Sequence, residues 1–76
     1  MSVDRFSEAQ QALQRGDKIL ARKLVSQVLY SDPRNEQAWL LMARLVDSEA
    51  QMIECLERAL RINRDNVSTQ NALKIL

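Results

Sequence analysis

The chain has 76 residues, enough for one small domain, with eleven Lys and Arg against ten Asp and Glu and no histidine. Residues 1–38 carry six basic and five acidic groups and residues 39–76 five of each, so neither a nucleic-acid grip nor an electrostatic membrane anchor has its clustered basic face. Without histidine, metal binding and acid–base chemistry near neutral pH lose their usual residue, and a single cysteine, Cys55, cannot close an internal disulfide. No apolar run approaches the roughly 18 residues of a membrane span. The opening Met1-Ser2-Val3-Asp4-Arg5 has no leader-like apolar stretch, so a soluble, cytoplasmic domain is the expectation. Apolar residues make up 46% of the chain, yet there is one Phe, one Tyr, one Trp, one Gly and one Pro, a composition that favours helix over strand. The predicted fold class is all-α.

Phe6, Ala9 and Leu13 fall at i, i+3 and i+7, so a first helix is expected over about 3–15, capped by Ser2 and ended at Gly16. From Asp17 a second stripe begins with Leu20, Ala21, Leu24, Val25, Val28 and Leu29, and it runs to about Tyr30, since Asp32-Pro33 cannot continue a helix. Asn35 can cap a third helix over about 36–46, apolar nearly all round through Ala38-Trp39-Leu40-Leu41-Met42-Ala43. Such a helix is sandwiched between neighbours, with Trp39, Met42 and Val46 as its expected core row. Ser48-Glu49-Ala50-Gln51 reads as a capping box opening a fourth helix over about 49–63. It turns Met52, Ile53, Leu56, Ala59 and Leu60 inward and the pairs Glu54–Arg58 and Glu57–Arg61 outward. Asn66 starts a short fifth helix holding Ala72, Leu73 and Leu76.

The segments repeat. Residues 21–35 laid over 52–66 match apolar to apolar at 21/52, 24/55, 25/56, 28/59 and 29/60, and Asn35 meets Asn66. The helices before them match at a shift of 33, Phe6, Ala9 and Leu13 falling on Trp39, Met42 and Val46. The order is therefore A1-B1-A2-B2-A3, helical pairs of the length that signals stacked supersecondary units.

Arg15-Gly16-Asp17 before the second helix, Ala21 and Val25 within it, and Asp32-Pro33-Arg34-Asn35 followed by Ala38-Trp39 resemble the tetratricopeptide repeat. In the second unit Trp39, Met42, Ala43 and Val46 stand at the W, L, G and Y places of that pattern, and Leu56, Ala59 and Leu60 continue it. In the first unit Phe6 replaces the tryptophan and either Ala9 or Gln10 takes the small-residue place, while Arg64 stands where a closing proline is usual. The resemblance implies an α-solenoid: repeat 1 over about 2–35, repeat 2 over about 36–66, and a capping helix over about 67–76. It also implies a concave groove on the A helices that holds extended peptides or partner helices. The corresponding positions are Asp4, Ser7, Gln11 and Gln14, then Gln37, Leu40 and Arg44, then Ser68 and Asn71. From these, Gln11, Gln37, Leu40, Arg44 and Asn71 are the candidate partner groove. The lysine-and-asparagine clamp that some members use for a C-terminal carboxylate is not matched, since Gln11 and Arg44 occupy the asparagine places.

Outside that groove, each chemistry-bearing feature has a plain explanation. Cys55 has no histidine to serve as its base and reads as a small apolar residue. Glu54 and Glu57 each have an arginine one turn on and read as a solvated face. Asp32-x-x-Asn35-Glu36 offers three oxygen ligands but too few for calcium, and a helix start accounts for it. With one glycine there is no phosphate loop. No catalysis, cofactor or metal is expected. The expected function is a protein-interaction module for a peptide or partner helix of acidic character with an apolar anchor. The alternatives are a self-associating structural module, forming a homodimer through its exposed ends, and, ranked last, a nucleic-acid binder using Arg15, Lys18, Arg22 and Lys23.

Overall fold

A computed structural model describes residues 4–76 of the chain. It contains five helices, α1 (Arg5–Gln14), α2 (Lys18–Ser31), α3 (Glu36–Leu45), α4 (Glu49–Ile62) and α5 (Val67–Ile75), and no strand among the described residues. Every helix begins where a short side-chain oxygen can accept one of the orphan amides of the first turn. Asp4 accepts from Phe6 N at 3.0 Å, Asp17 from Leu20 N at 3.1 Å, Asn35 from Ala38 N at 3.0 Å, Ser48 from Gln51 N at 3.1 Å and Asn66 from Thr69 N at 3.2 Å. The cap of α1 is therefore Asp4; the expected cap, Ser2, lies outside the described residues.

The end of α1 depends on Gly16, whose φ of 82° is open to glycine and strained for any residue with a Cβ. That conformation lets Gly16 N donate to Leu13 O at 2.9 Å and Asp17 N to Ala12 O at 2.8 Å, the two bonds of a Schellman stop. Asp17 thus closes one helix with its amide and opens the next with its carboxylate. The other helix pairs are joined through extended residues: Asp32 and Asn63 end α2 and α4 with nearly the same backbone angles, and Asn35 N and Asn66 N bond back to their carbonyls.

The helix starts recur every 31 residues, at Arg5, Glu36 and Val67 and at Lys18 and Glu49, and the lengths alternate 10, 14, 10, 14 and 9. One period therefore serves both sets of helices, correcting the shift of 33 read for the A helices. The side chains repeat too. Trp39 Nε1 donates to the carbonyl of Pro33 at 2.8 Å, and Gln70 Nε2, 31 residues on, donates to the carbonyl of Arg64 at 2.6 Å. The same turn is tied by an indole in one unit and by an amide in the next. On this period the counterpart of Ala43 is Ala12, both buried, so the small residue of the first unit is neither Ala9 nor Gln10.

Each helix packs chiefly against the helices just before and after it in the chain, giving a body of 38 × 22 × 18 Å. One buried cluster joins Ala9 and Ala12 of α1, Ala21, Leu24 and Val25 of α2, and Ala38, Leu41 and Leu45 of α3. A second joins Ala43 of α3 to Cys55 and Leu56 of α4, with Trp39, Leu40, Met42, Met52, Ala72 and Leu73 packed on it. The sandwiched α3 expected from its all-round apolar surface is thus present, but its rows are shared differently. Ala38, Leu41 and Leu45 form the buried row, whereas Trp39, Met42 and Val46 are only half-buried. The physical reason is size. An alanine and two leucines fit the close approach to α1 and α2, while the indole takes the edge, where its N–H reaches a carbonyl and the Arg58 guanidinium lies 5.0 Å from its ring centroid.

Because open space surrounds the position a Cβ would take at Gly16, its replacement acts through the backbone angle alone. Gly16→Ala is expected to cost about 1–2 kcal/mol and to lower the thermal midpoint by about 4–8 °C per kcal/mol, with Gly16→Asn costing less. A melt followed by circular dichroism measures both.

Candidate functional site

The face shared by α1 and α3 carries two adjoining hollows, of about 260 and about 290 Å³. Phe6, Gln10, Leu13 and Gln14 project into them from α1, and Gln37, Leu40, Leu41 and Arg44 from α3. The burial of Ala9 and Ala12 against α2 and α3 fixes the rotation of α1, and the burial of Ala38, Leu41 and Leu45 fixes that of α3. The two hollows share Gln10, Leu41 and Arg44, so together they form one trough with an apolar floor and amide and guanidinium walls.

Of the five expected groove residues, the structure brings Gln37, Leu40 and Arg44 together on α3. Gln37 and Arg44 are exposed; Leu40, expected as an outward apolar contact, is half-buried and also packs on the second cluster. Gln11 and Asn71 are exposed on α1 and α5 but line neither hollow. The phase of α1 explains the difference. With a 31-residue period the counterparts of Gln37, Leu41 and Arg44 are Phe6, Gln10 and Leu13, which do line the trough. The shift of 33 had placed Gln11 opposite Arg44 instead. A single period applied to every helix would have found the α1 wall from sequence.

At one end the trough is closed by Asn66, the cap of α5, and by Glu36. Glu36 accepts from Asn66 Nδ2 at 2.8 Å and from Asn63 Nδ2 at 3.2 Å, so its carboxylate is already occupied by amide donors. The oxygens of Asn35 and Glu36, weighed as ion ligands from sequence, thus serve as a helix cap and an inter-helix clamp. Arg44 is different: it forms no ion pair among the described residues and is the one guanidinium lining the trough. An exposed guanidinium beside an apolar floor can take a carboxylate in bidentate fashion, while Gln10 and Gln37 can bond a peptide main chain.

The remaining candidates are placed elsewhere. Lys18 and Arg22 both approach Asp47, at 3.7 and 3.6 Å, so two of the four basic residues Arg15, Lys18, Arg22 and Lys23 share a carboxylate. Glu54 and Arg58 form the expected i,i+4 pair at 3.1 Å, while Glu57 and Arg61 line a separate hollow between α4 and α5. No group of three or more Cys, Asp or Glu is gathered to hold a metal ion among the described residues, and no helix among them is long and apolar enough to cross a membrane.

Comparisons with protein-family models, with curated proteins and with solved structures returned no match.

Cys55 is buried in the second cluster, and burial pushes its thiol above the usual cysteine value; the neighbouring Glu54 adds to the shift and Arg58, one turn on, opposes it. The thiolate is therefore scarce in the folded state. Labelling of Cys55 by a thiol reagent at pH 8 is expected to run at least about tenfold slower in the folded chain than in urea. A stopped-flow comparison of the two states reads this directly.

Proposed function

We propose that this chain is a protein-interaction module of tetratricopeptide-like helical hairpins, stacked as a short α-solenoid, whose working surface is the trough between α1 and α3. The alternation of ten- and fourteen-residue helices on a 31-residue period supports the repeat reading. The observation that carries the functional reading is the company kept by Arg44. An unpaired guanidinium stands with Gln10 and Gln37 over the side chains of Phe6, Leu40 and Leu41. The occupant that fits is an extended peptide or a helix with one apolar anchor and a carboxylate close by. The anchor removes apolar surface from water on the trough floor. The carboxylate gives orientation, and the amides bond whatever main chain lies along the walls.

Nucleic-acid binding is the weaker reading because Lys18 and Arg22 converge on Asp47, which leaves little uncompensated positive charge on that side.

The test is selection from a displayed library of random peptides, followed by amide NMR mapping of the recovered sequences on the isotope-labelled chain. Selected peptides are expected to share an acidic residue within a few positions of a large apolar one, and to shift the amides of Gln10, Gln37, Leu40 and Arg44. Arg44→Glu should weaken such a peptide by about 1–3 kcal/mol while leaving the thermal midpoint nearly unchanged, as its side chain is exposed. Shifts confined to α2 and the outer face of α4, around Arg22 and Glu54, would remove the trough from consideration.

A further inference from the structure

The far end of the molecule has a second unfilled surface. Between α4 and α5 lies a hollow of about 420 Å³, lined by Glu57, Leu60, Arg61, Arg64 and Leu73. Glu57, Leu60 and Arg61 lie at i, i+3 and i+4 on α4, on the side turned away from Cys55 and Ala59, and Arg64 stands in the turn that follows the helix. The 31-residue period shows what the hollow corresponds to. The counterpart of Leu73 is Met42, and Met42 is covered by the cluster that α4 brings to α3. One period later the matching face of α5 has no helix over it among the described residues. Leu76, three residues on from Leu73, is 43% exposed.

We propose that this α4–α5 edge is an interface between two copies of the chain, related by a two-fold axis that passes close to Leu60. One feature selects a second copy in this arrangement: the charges of the edge are self-complementary. When two α4 helices run antiparallel and cross at Leu60, residue 57 of one copy faces residues 61–64 of the other. Glu57 then meets Arg61 and Arg64 twice, once on each side of the axis, around a centre of leucines. The trough between α1 and α3 stays open in each copy, so the pair would present two binding surfaces whose joint occupation gains by avidity.

Sedentary charge pairs of this kind are tested by swapping them. Light scattering on the eluting wild-type chain at about 100 μM should give twice the 8.8 kDa chain mass. Glu57→Arg, and separately Arg61→Glu with Arg64→Glu, should each raise the dimer dissociation constant about tenfold or more, and should leave the circular-dichroism melt unaltered at dilutions where the wild type is monomeric, since all three side chains are exposed. Mixing the two variants should restore a dimer, now hetero, because one edge is wholly basic and the other wholly acidic. A wild-type mass of one chain would overturn the proposal and leave the edge to another occupant. A dimer that survives both charge reversals, or a mixture that fails to pair, would overturn it as well. These readouts involve no peptide, so they stand apart from the outcome at the α1–α3 trough.

Discussion

Alanine at the helix crossings is the constraint on which this structure rests. Ala9, Ala12, Ala21 and Ala38 are fully buried, and they sit where α1, α2 and α3 meet. A residue with no atoms beyond Cβ lets two helix backbones approach to the short end of the usual interaxial range of about 8–10 Å. It also surrenders no rotamer freedom on burial. The larger side chains, Val25 and Leu45, then fill the space beside these contacts. Because α2 packs closely against both α1 and α3, α1 and α3 present neighbouring faces, and the trough between them has a fixed width. Enlarging any one of these alanines would push α1 outward and change the trough before it touched a single lining residue.

Polar groups then lock what the alanines bring together. Glu36, at the start of α3, holds the side chains of Asn63 and Asn66 across the turn between α4 and α5, so the two turns of the chain are braced against each other. Arg5 does a similar service at the start of α1, donating to Gln27 on α2. The side chains of Trp39 and Gln70 tie their own turns by the same six-residue reach to a carbonyl. None of these exposed or half-exposed bonds is worth more than about 1 kcal/mol singly. Their value is in fixing the helix entry angles, which sets where Arg44 stands relative to Gln10. The proposed function depends on that spacing, because a surface made of long polar side chains is only as specific as the backbone that spaces them.

Much of this was legible in the sequence, for reasons that can be named. Helix existence followed from stripes such as Leu20–Leu24–Val28, and three of the five helix starts from Asn35, Ser48 and Asn66, because both signals are local. The 31-residue match of 21–35 with 52–66 was legible too, since α2 and α4 bury similar residues. The phase of α1 was not. Its buried residues are two alanines, whose hydrophobic signal is weak, and the aromatic Phe6 drew the alignment toward Trp39. The consequence is local to the trough: Gln37, Leu40 and Arg44 share one phase of α3 and line it together, whereas from α1 it is Gln10 and not Gln11 that lines it. The half-buried state of Trp39 escaped for a related reason. On a helix apolar all round, the sequence does not say which row faces the closest neighbour; only the small size of Ala38, set against α1 and α2, decides it.

The proposed function requires that the charge of Arg44 choose the ligand. The most direct measurement is a specificity exchange: repeat the displayed-peptide selection with Arg44→Glu in place of the native chain, at the same ionic strength. The trough's apolar floor is unchanged in that variant, so an apolar anchor should still be enriched, while the neighbouring preference should invert from acidic to basic. An unchanged acidic preference would mean that the ligand's charge is read elsewhere, and would contradict the assignment of the α1–α3 face as the working surface.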